Sequence, residues 1–256
     1  MQIEHVCLLL VAALGAGWVD AVVGGGGLIQ LPALMVLNPG QPVAAALATN
    51  KLASIAGTSS AAVAYLRKAK PDLQVAVPAA GLAICAAAGG AVCAAAISSS
   101  VLKPLIMVVL LSVAAIVVLK PDLGRVPRLV LRTRRRLAAA ILIPGLAIAF
   151  YDGLVGPGTG TFLVVAFTTL LGTDFVNASA NAKIINTGTN LGALIVFAAE
   201  GKVLWAIGLA MAVCNIVGAQ LGARMAINRG AGFVRGVLLC VVTALVIKLG
   251  YEQFFA

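Results

Sequence analysis

Four ionisable side chains stand inside stretches that are otherwise apolar: Asp20, Lys51, Asp152 and Lys183. Each lysine falls eight or nine residues into its stretch, roughly 12–14 Å deep at the helical rise and close to the midplane of a bilayer. A charge at that depth costs at least about 2.5–3.5 kcal/mol, so it is retained where it faces a cavity, a partner or a substrate. Lys183 is followed by Asn186, Thr187 and Asn190 at i+3, i+4 and i+7, and Lys51 by Ser54 and Thr58 at i+3 and i+7. That spacing draws a polar stripe along one helical face, which Asn50 and Asn181 extend. The same stripe would also serve for hydrogen bonds between membrane helices.

Two glycine strings lie near these groups in the chain: Gly24 to Gly27 in GGGGLIQLPAL, and GPGTGT from Gly156 to Thr161. Each opens a short apolar segment, and Pro157 suits a first helical position because its missing N–H would be unpaired there anyway. A half-helix that starts inside the membrane exposes orphan N–H groups and the positive end of its dipole, which are ligands for an anion. The candidate anion contacts are therefore Gly25, Gly26, Gly27, Gly158, Thr159, Gly160 and Thr161 with Lys51, Lys183, Asn50, Ser54, Thr58, Asn186 and Asn190. Asp20 and Asp152 each precede a glycine string by four residues. They neutralise the lysines when the site is empty, cap the turns, or bind a proton that moves with the substrate. Glycines in such strings also serve close helix packing, and neither string matches a phosphate-binding fingerprint.

The elements that must position these groups are set by composition. Of 256 residues, 62% are hydrophobic, a further 28 are glycine and only 10% are charged, far from the balance of a soluble domain. The chain reads as an all-α polytopic membrane protein. Stretches able to cross the hydrocarbon run at 3–23, 42–65, 73–97, 101–119, 137–154, 175–198, 203–227 and 233–252; those at 25–37 and 158–171 are too short and read as half-helices. The first stretch lacks a basic leader and is expected to remain in the mature chain. Net charge is +10, but no solvated base-reading patch accompanies it, so nucleic acid is not an expected partner. Cys7, Cys85, Cys93, Cys214 and Cys240 show no metal-ligand spacing and read as small core residues; no metal or cofactor is expected. Trp18, Trp205, Tyr65, Tyr151, Tyr251, Phe254 and Phe255 fall near stretch ends and read as an interfacial belt, while Asp174 and Glu200 read as solvated helix ends.

A fixed shift of 132 residues pairs Asp20 with Asp152, Gly24 with Gly156, Gly26 with Gly158, Gly40 with Gly172, Ala46 with Ala178, Ala48 with Ala180 and Lys51 with Lys183. Both buried acids and both buried bases thus fall into register without a gap. The chain reads as an internal duplication: a first repeat over 1–119, a basic linker over 120–136 and a second repeat over 137–256. Thirteen of the 18 Lys and Arg residues lie in the 66–72 loop, the linker and the 224–235 segment, which marks those as cytoplasmic. On this count 42–65 runs inward and 175–198 outward, so the repeats are inverted and both termini face outside. Each short segment then folds back on the stretch before it as a hairpin. The linker's charge serves orientation, with anionic lipid as the other partner it would suit.

The runs GWVDAVVGGGGLIQLPAL and ATNKLASIAGTSSA in the first half, with FYDGLVGPGTGTFLVVAFTTLLG and NASANAKIINTGTNLGALIVF in the second, resemble the sulfite exporter TauE/SafE family of permeases, in particular its subgroup carrying GPGTG. The resemblance implies a bacterial inner-membrane exporter of small sulfur-containing or organic anions such as sulfite or sulfonates. Pro157 and Thr159 stand where the first half has Gly25 and Gly27, so the half-sites are not equivalent.

The expected function is a secondary transporter, not an enzyme, working by alternating access around a midplane site. Its expected partners are a small anion, the lipid bilayer, protons as coupling ion and a second copy of the chain in a homodimer. An anion channel is the nearest alternative. An intramembrane aspartyl hydrolase built on Asp20 and Asp152 is a distant one, because midplane lysines favour two ionised carboxylates over a shared proton.

Overall fold

The computed structural model describes residues 3–119 and 133–255, and these are helical with no strand among them. Helices α1 (Ile3–Val23), α2 (Gly27–Leu37), α3 (Val43–Leu66), α4 (Leu73–Ala96) and α5 (Ser99–Leu119) form the first half. The second half comprises α6 (Arg134–Leu154), α7 (Thr159–Leu170), α8 (Phe175–Ala199), α9 (Trp205–Gly230) and α10 (231–255). α9 and α10 are continuous except for Gly230, whose φ of 70° and ψ of −166° break the helix there. Within α6 the turn Ile143–Ile148 widens to π geometry, with Pro144 unable to donate to the regular ladder.

Two helices of 11 and 12 residues, α2 and α7, take the places expected of the half-helices. Among the described residues, α1, α4, α6, α8 and α9 are long and apolar enough to cross a membrane. The expected stretch at 42–65 is a helix of 24 residues, α3, but its polar stripe holds its apolarity below that of the other five. α5 is apolar over Ser99–Val109; most side chains beyond that point, and most of those in α10, lie outside the described residues. The linker at 120–132 also lies outside them. The expected start of the fifth stretch at 137 moves back to Arg134, because the Thr133 side chain accepts a hydrogen bond from the Arg136 amide and caps the helix three residues earlier.

The starts of α2, α3 and α4 recur 132 positions later as the starts of α7, α8 and α9. Packing follows the same displacement. α1 packs on α9 while α6 packs on α4, and α3 packs on α9 while α8 packs on α4, with α3 and α8 together in the middle. Small residues permit these close crossings: Gly90 of α4 lies on the Phe150 carbonyl, and Gly222 of α9, 132 positions on, lies on the Trp18 carbonyl.

The outer faces carry exposed Val11, Val77, Val92, Leu146, Ile195 and Val213, an apolar exterior suited to lipid. Cys7, Cys85, Cys93 and Cys240 are exposed there and Cys214 is half-buried, which corrects their reading as core residues: lipid accepts a thiol as readily as a packed interior does. The aromatic belt is corrected in part as well. Trp205 is exposed, but Tyr65 is 0% exposed with its hydroxyl donating to the Ala21 carbonyl, and the Tyr151 hydroxyl donates to the Pro157 carbonyl. Both tyrosines tie down backbone next to a glycine string. Trp18 is half-buried against Met225 and Phe233, while the side chains of Tyr251, Phe254 and Phe255 lie outside the described residues.

Candidate functional site

The broken segments between α1 and α2 and between α6 and α7 meet directly. A Cβ built on Gly24 would stand 2.3–2.6 Å from backbone atoms of Gly160 and Thr161, and one on Gly160 would stand 2.4 Å from the Cα of Gly24. Only bare backbone fits at this crossing. Gly24 and Gly156 also hold φ of 77° and 95°, a region that side-chain-bearing residues rarely enter. Across the contact the Thr161 hydroxyl donates to the Val23 carbonyl at 2.8 Å.

Lys51 and Lys183 are each the ninth residue of their helix, α3 and α8. Lys51 Nζ lies 2.8 Å from Oδ2 of Asp152 in α6, and Lys183 Nζ lies 2.7 Å from Oδ2 of Asp20 in α1. Both pairs cross between the halves of the chain, and the two are related by the 132-residue shift. Lys183 also donates to the Asp20 backbone carbonyl, and the Thr159 hydroxyl donates to Oδ1 of Asp152 at 2.6 Å. Asn190 Nδ2 contacts Thr58 Oγ1 at 3.4 Å, so two positions 132 apart touch each other.

Between these groups lies a small polar cavity of about 20 Å³, room for about one water molecule. Lys51, Asp20 and Asp152 line it together with the glycines and threonine of the broken segments, Gly27, Gly158, Thr159 and Gly160. The stripe contributes Asn50 and Ser54 from α3 and Asn186 and Asn190 from α8. Asn50 is buried and its Oδ1 has no hydrogen-bond partner among the described residues. Five further candidates lie outside this lining. Lys183 is held by Asp20, Thr58 turns its hydroxyl back to the Ser54 carbonyl, and Thr161 is spent on Val23. Gly25 faces Leu28 and Val19, and Gly26 nests on the Ala16 carbonyl. Asn181 accepts from the Asp72 amide and so anchors the start of α4.

Two lining residues, Gly24 and Gly156, are absent from the candidate contacts read from the sequence, although their register and matching left-handed geometry mark them as partners. A second polar contact lies outside those candidates as well. Asn215 of α9 donates to Gln30 Oε1 of α2 at 2.7 Å and to the Ala13 carbonyl at 3.2 Å, binding the first half-helix to its neighbours. A glutamine inside an 11-residue apolar helix is the signal that points to it.

The side-chain charges of the cluster cancel in pairs, and the surplus comes from the helix ends. α2 and α7 both begin at this cavity, so the positive ends of their dipoles converge on it, while the Leu28, Ile29 and Thr159 amides already donate to the Gly25, Gly26 and Gly156 carbonyls. Such a site favours an anion without requiring a large fixed charge. No metal-binding group of three or more His, Cys, Asp or Glu occurs among the described residues.

Residues 9–249 match the family described as Sulfite exporter TauE/SafE. The chain is 38% identical over 241 residues to a Sinorhizobium protein named probable membrane transporter protein ORF9, covering 94% of this chain and 90% of that one. It is 33% identical over 248 residues to the Escherichia coli K12 probable membrane transporter protein YfcA, covering 96% and 90%. A Haemophilus influenzae protein named probable membrane transporter protein is 32% identical over 253 residues, covering 98% and 96%. No solved structure matches the chain.

Proposed function

The chain belongs to the sulfite exporter TauE/SafE family of multi-pass membrane transporters, and from that premise we propose that it carries small sulfur-containing or organic anions through one site shared by two inverted halves. The observation that carries this reading is the crossed arrangement of Lys51 with Asp152 and Lys183 with Asp20 around a cavity at which two half-helices begin. Inverted repeats place broken helices and their substrate near the midplane in this way, and rocking of one half against the other exposes the site to each side in turn. The contact between Thr58 and Asn190 supports a pseudo-twofold axis passing between them. Sulfite and sulfonates are the substrates that the family's description suggests, with export as the direction. The basic segments favour a bacterial inner membrane with both termini outside.

The hydrolase alternative needs two carboxylates sharing a proton, whereas each carboxylate here is committed to a lysine of the other half. A channel differs from a carrier in its kinetics. The test is flux into proteoliposomes with sulfite, thiosulfate, sulfonates and carboxylates. A carrier gives saturable exchange and counterflow accumulation, and Lys51→Ala or Lys183→Ala weakens it far more than Lys103→Ala, since Lys103 is an exposed residue of α5. Equal effects from all three lysines would remove the central site, and flux without counterflow would favour the channel.

A further inference from the structure

The two ion pairs are register partners, yet their surroundings differ. Asp152 accepts from the Thr159 hydroxyl through Oδ1 and stands 2.8 Å from Lys51 Nζ through Oδ2, an ion pair without hydrogen-bond geometry, and its side chain is 3% exposed. Asp20 meets Lys183 through Oδ2 alone; its Oδ1 has no partner among the described residues and its side chain is 16% exposed. The cause is in the sequence: the position equivalent to Thr159 is Gly27, which has no hydroxyl to offer. The lysines differ too. Lys51 lines the cavity and spends one contact on Asp152, whereas Lys183 stands outside the lining and spends two on Asp20, one of them to its backbone carbonyl.

We propose a division of labour in which Lys51 meets the anion and Asp20 takes up one proton with it, while Lys183 and Asp152 are positioning residues that hold these two. This rests on the anion-carrier reading above. An ionised Asp20 facing the cavity repels an entering anion. A proton on its unpartnered Oδ1 removes that charge and leaves Lys183 on Oδ2 and the backbone carbonyl, so the cluster gains one positive charge for each anion bound. The groups around Asp20 allow this. α8 presents Lys183 and α3 presents Lys51 and Tyr65, whose hydroxyl is tied to the Ala21 carbonyl. α6 presents Asp152 across the cavity, already paired. α2 and α7 carry no titratable side chain, and α9 keeps Arg224 and Arg229 exposed. A cycle of this kind runs where the summed anion and proton gradients point. With an acid exterior it exports only while the internal anion excess outweighs the proton gradient.

The test uses the full chain in proteoliposomes with the membrane potential clamped to zero and labelled methanesulfonate or thiosulfate. Both stay ionised over the working pH range, so any proton that moves travels on the protein. A gradient of one pH unit, acid outside, is expected to drive accumulation approaching about tenfold. In Asp20→Asn the exchange that remains is expected to be insensitive to the gradient, with an accumulation ratio of about one, whereas Asp152→Asn loses exchange itself; an Asp20→Asn protein with no exchange hands the decision to the proton measurement below. The reverse pattern, or pH-driven accumulation in both variants, overturns the proposal. Should Asp20→Asn not fold, wild-type vesicles with a trapped pH dye decide: one proton entering per anion supports the proposal, and exchange without proton movement overturns it. Absence of any anion exchange by the wild type is a different failure, which removes the carrier reading and this proposal with it.

Discussion

Replacing Lys51 by methionine keeps the length and apolar body of the side chain but leaves Asp152 without its cation. The two groups lie 2.8 Å apart with side chains 2% and 3% exposed, so little water is present to take over the lost contact. Breaking a buried ion pair by removing one partner costs about 3–5 kcal/mol, because the remaining charge is stranded. The Thr159 hydroxyl on Oδ1 stays in place and offsets part of that, which puts the expectation near the lower end. At about 2–4 °C per kcal/mol for a chain of this size, the melting temperature of the detergent-solubilised protein falls by roughly 6–12 °C. Asp152→Asn in the same background removes the stranded charge and recovers at least half of the loss, since a matched neutral pair in a buried site is close to neutral in stability. Anion exchange stays absent in both the single and the double variant. Two results refute the reasoning: a Lys51→Met protein as stable as the wild type, or a double variant that regains exchange along with stability, which would make the pair a structural brace and nothing more.

Other consequences are simpler. Gly160→Ala inserts a methyl group into the Gly24 backbone and is expected to cost at least about 1–3 kcal/mol and to abolish exchange, whereas Gly40→Ala, with nothing within 4 Å, changes neither; thermal unfolding and flux read both. Asn215→Ala leaves Gln30 buried without its partner and lowers stability by about 1–3 kcal/mol, while the KM for exchange is unchanged because neither residue lines the cavity. A variant with all five cysteines replaced by alanine keeps full exchange, since none of them lines the cavity; loss of flux would show that a thiol takes part.

Much of the site is legible in one dimension because buried charge is rare in an apolar chain. Asp20, Lys51, Asp152 and Lys183 stand out by type, and their common register shows that they are two copies of one arrangement. The glycine strings mark the helix breaks for a similar reason: only glycine tolerates both the left-handed turn at Gly24 and the backbone crossing with Gly160. What the chain order does not reveal is partnership across the halves. That Lys51 meets Asp152 and not Asp20 depends on how α3 and α6 pack, and no spacing encodes it. Tyr65 and Tyr151 are misread for a related reason, because nearness to a stretch end says nothing of which side faces lipid and which is pinned to a carbonyl beside a broken helix. The cysteines show the limit of hydrophobicity as a guide, since the exterior of a membrane protein is as apolar as its core.

The central claim is that the two halves share one anion site. Equilibrium binding of a labelled anion to the purified chain tests it most directly, with Lys51→Gln and Lys183→Gln beside the wild type. The account predicts one bound anion per chain and its loss in either variant. Two anions per chain, with each variant losing one and keeping the other, would contradict it.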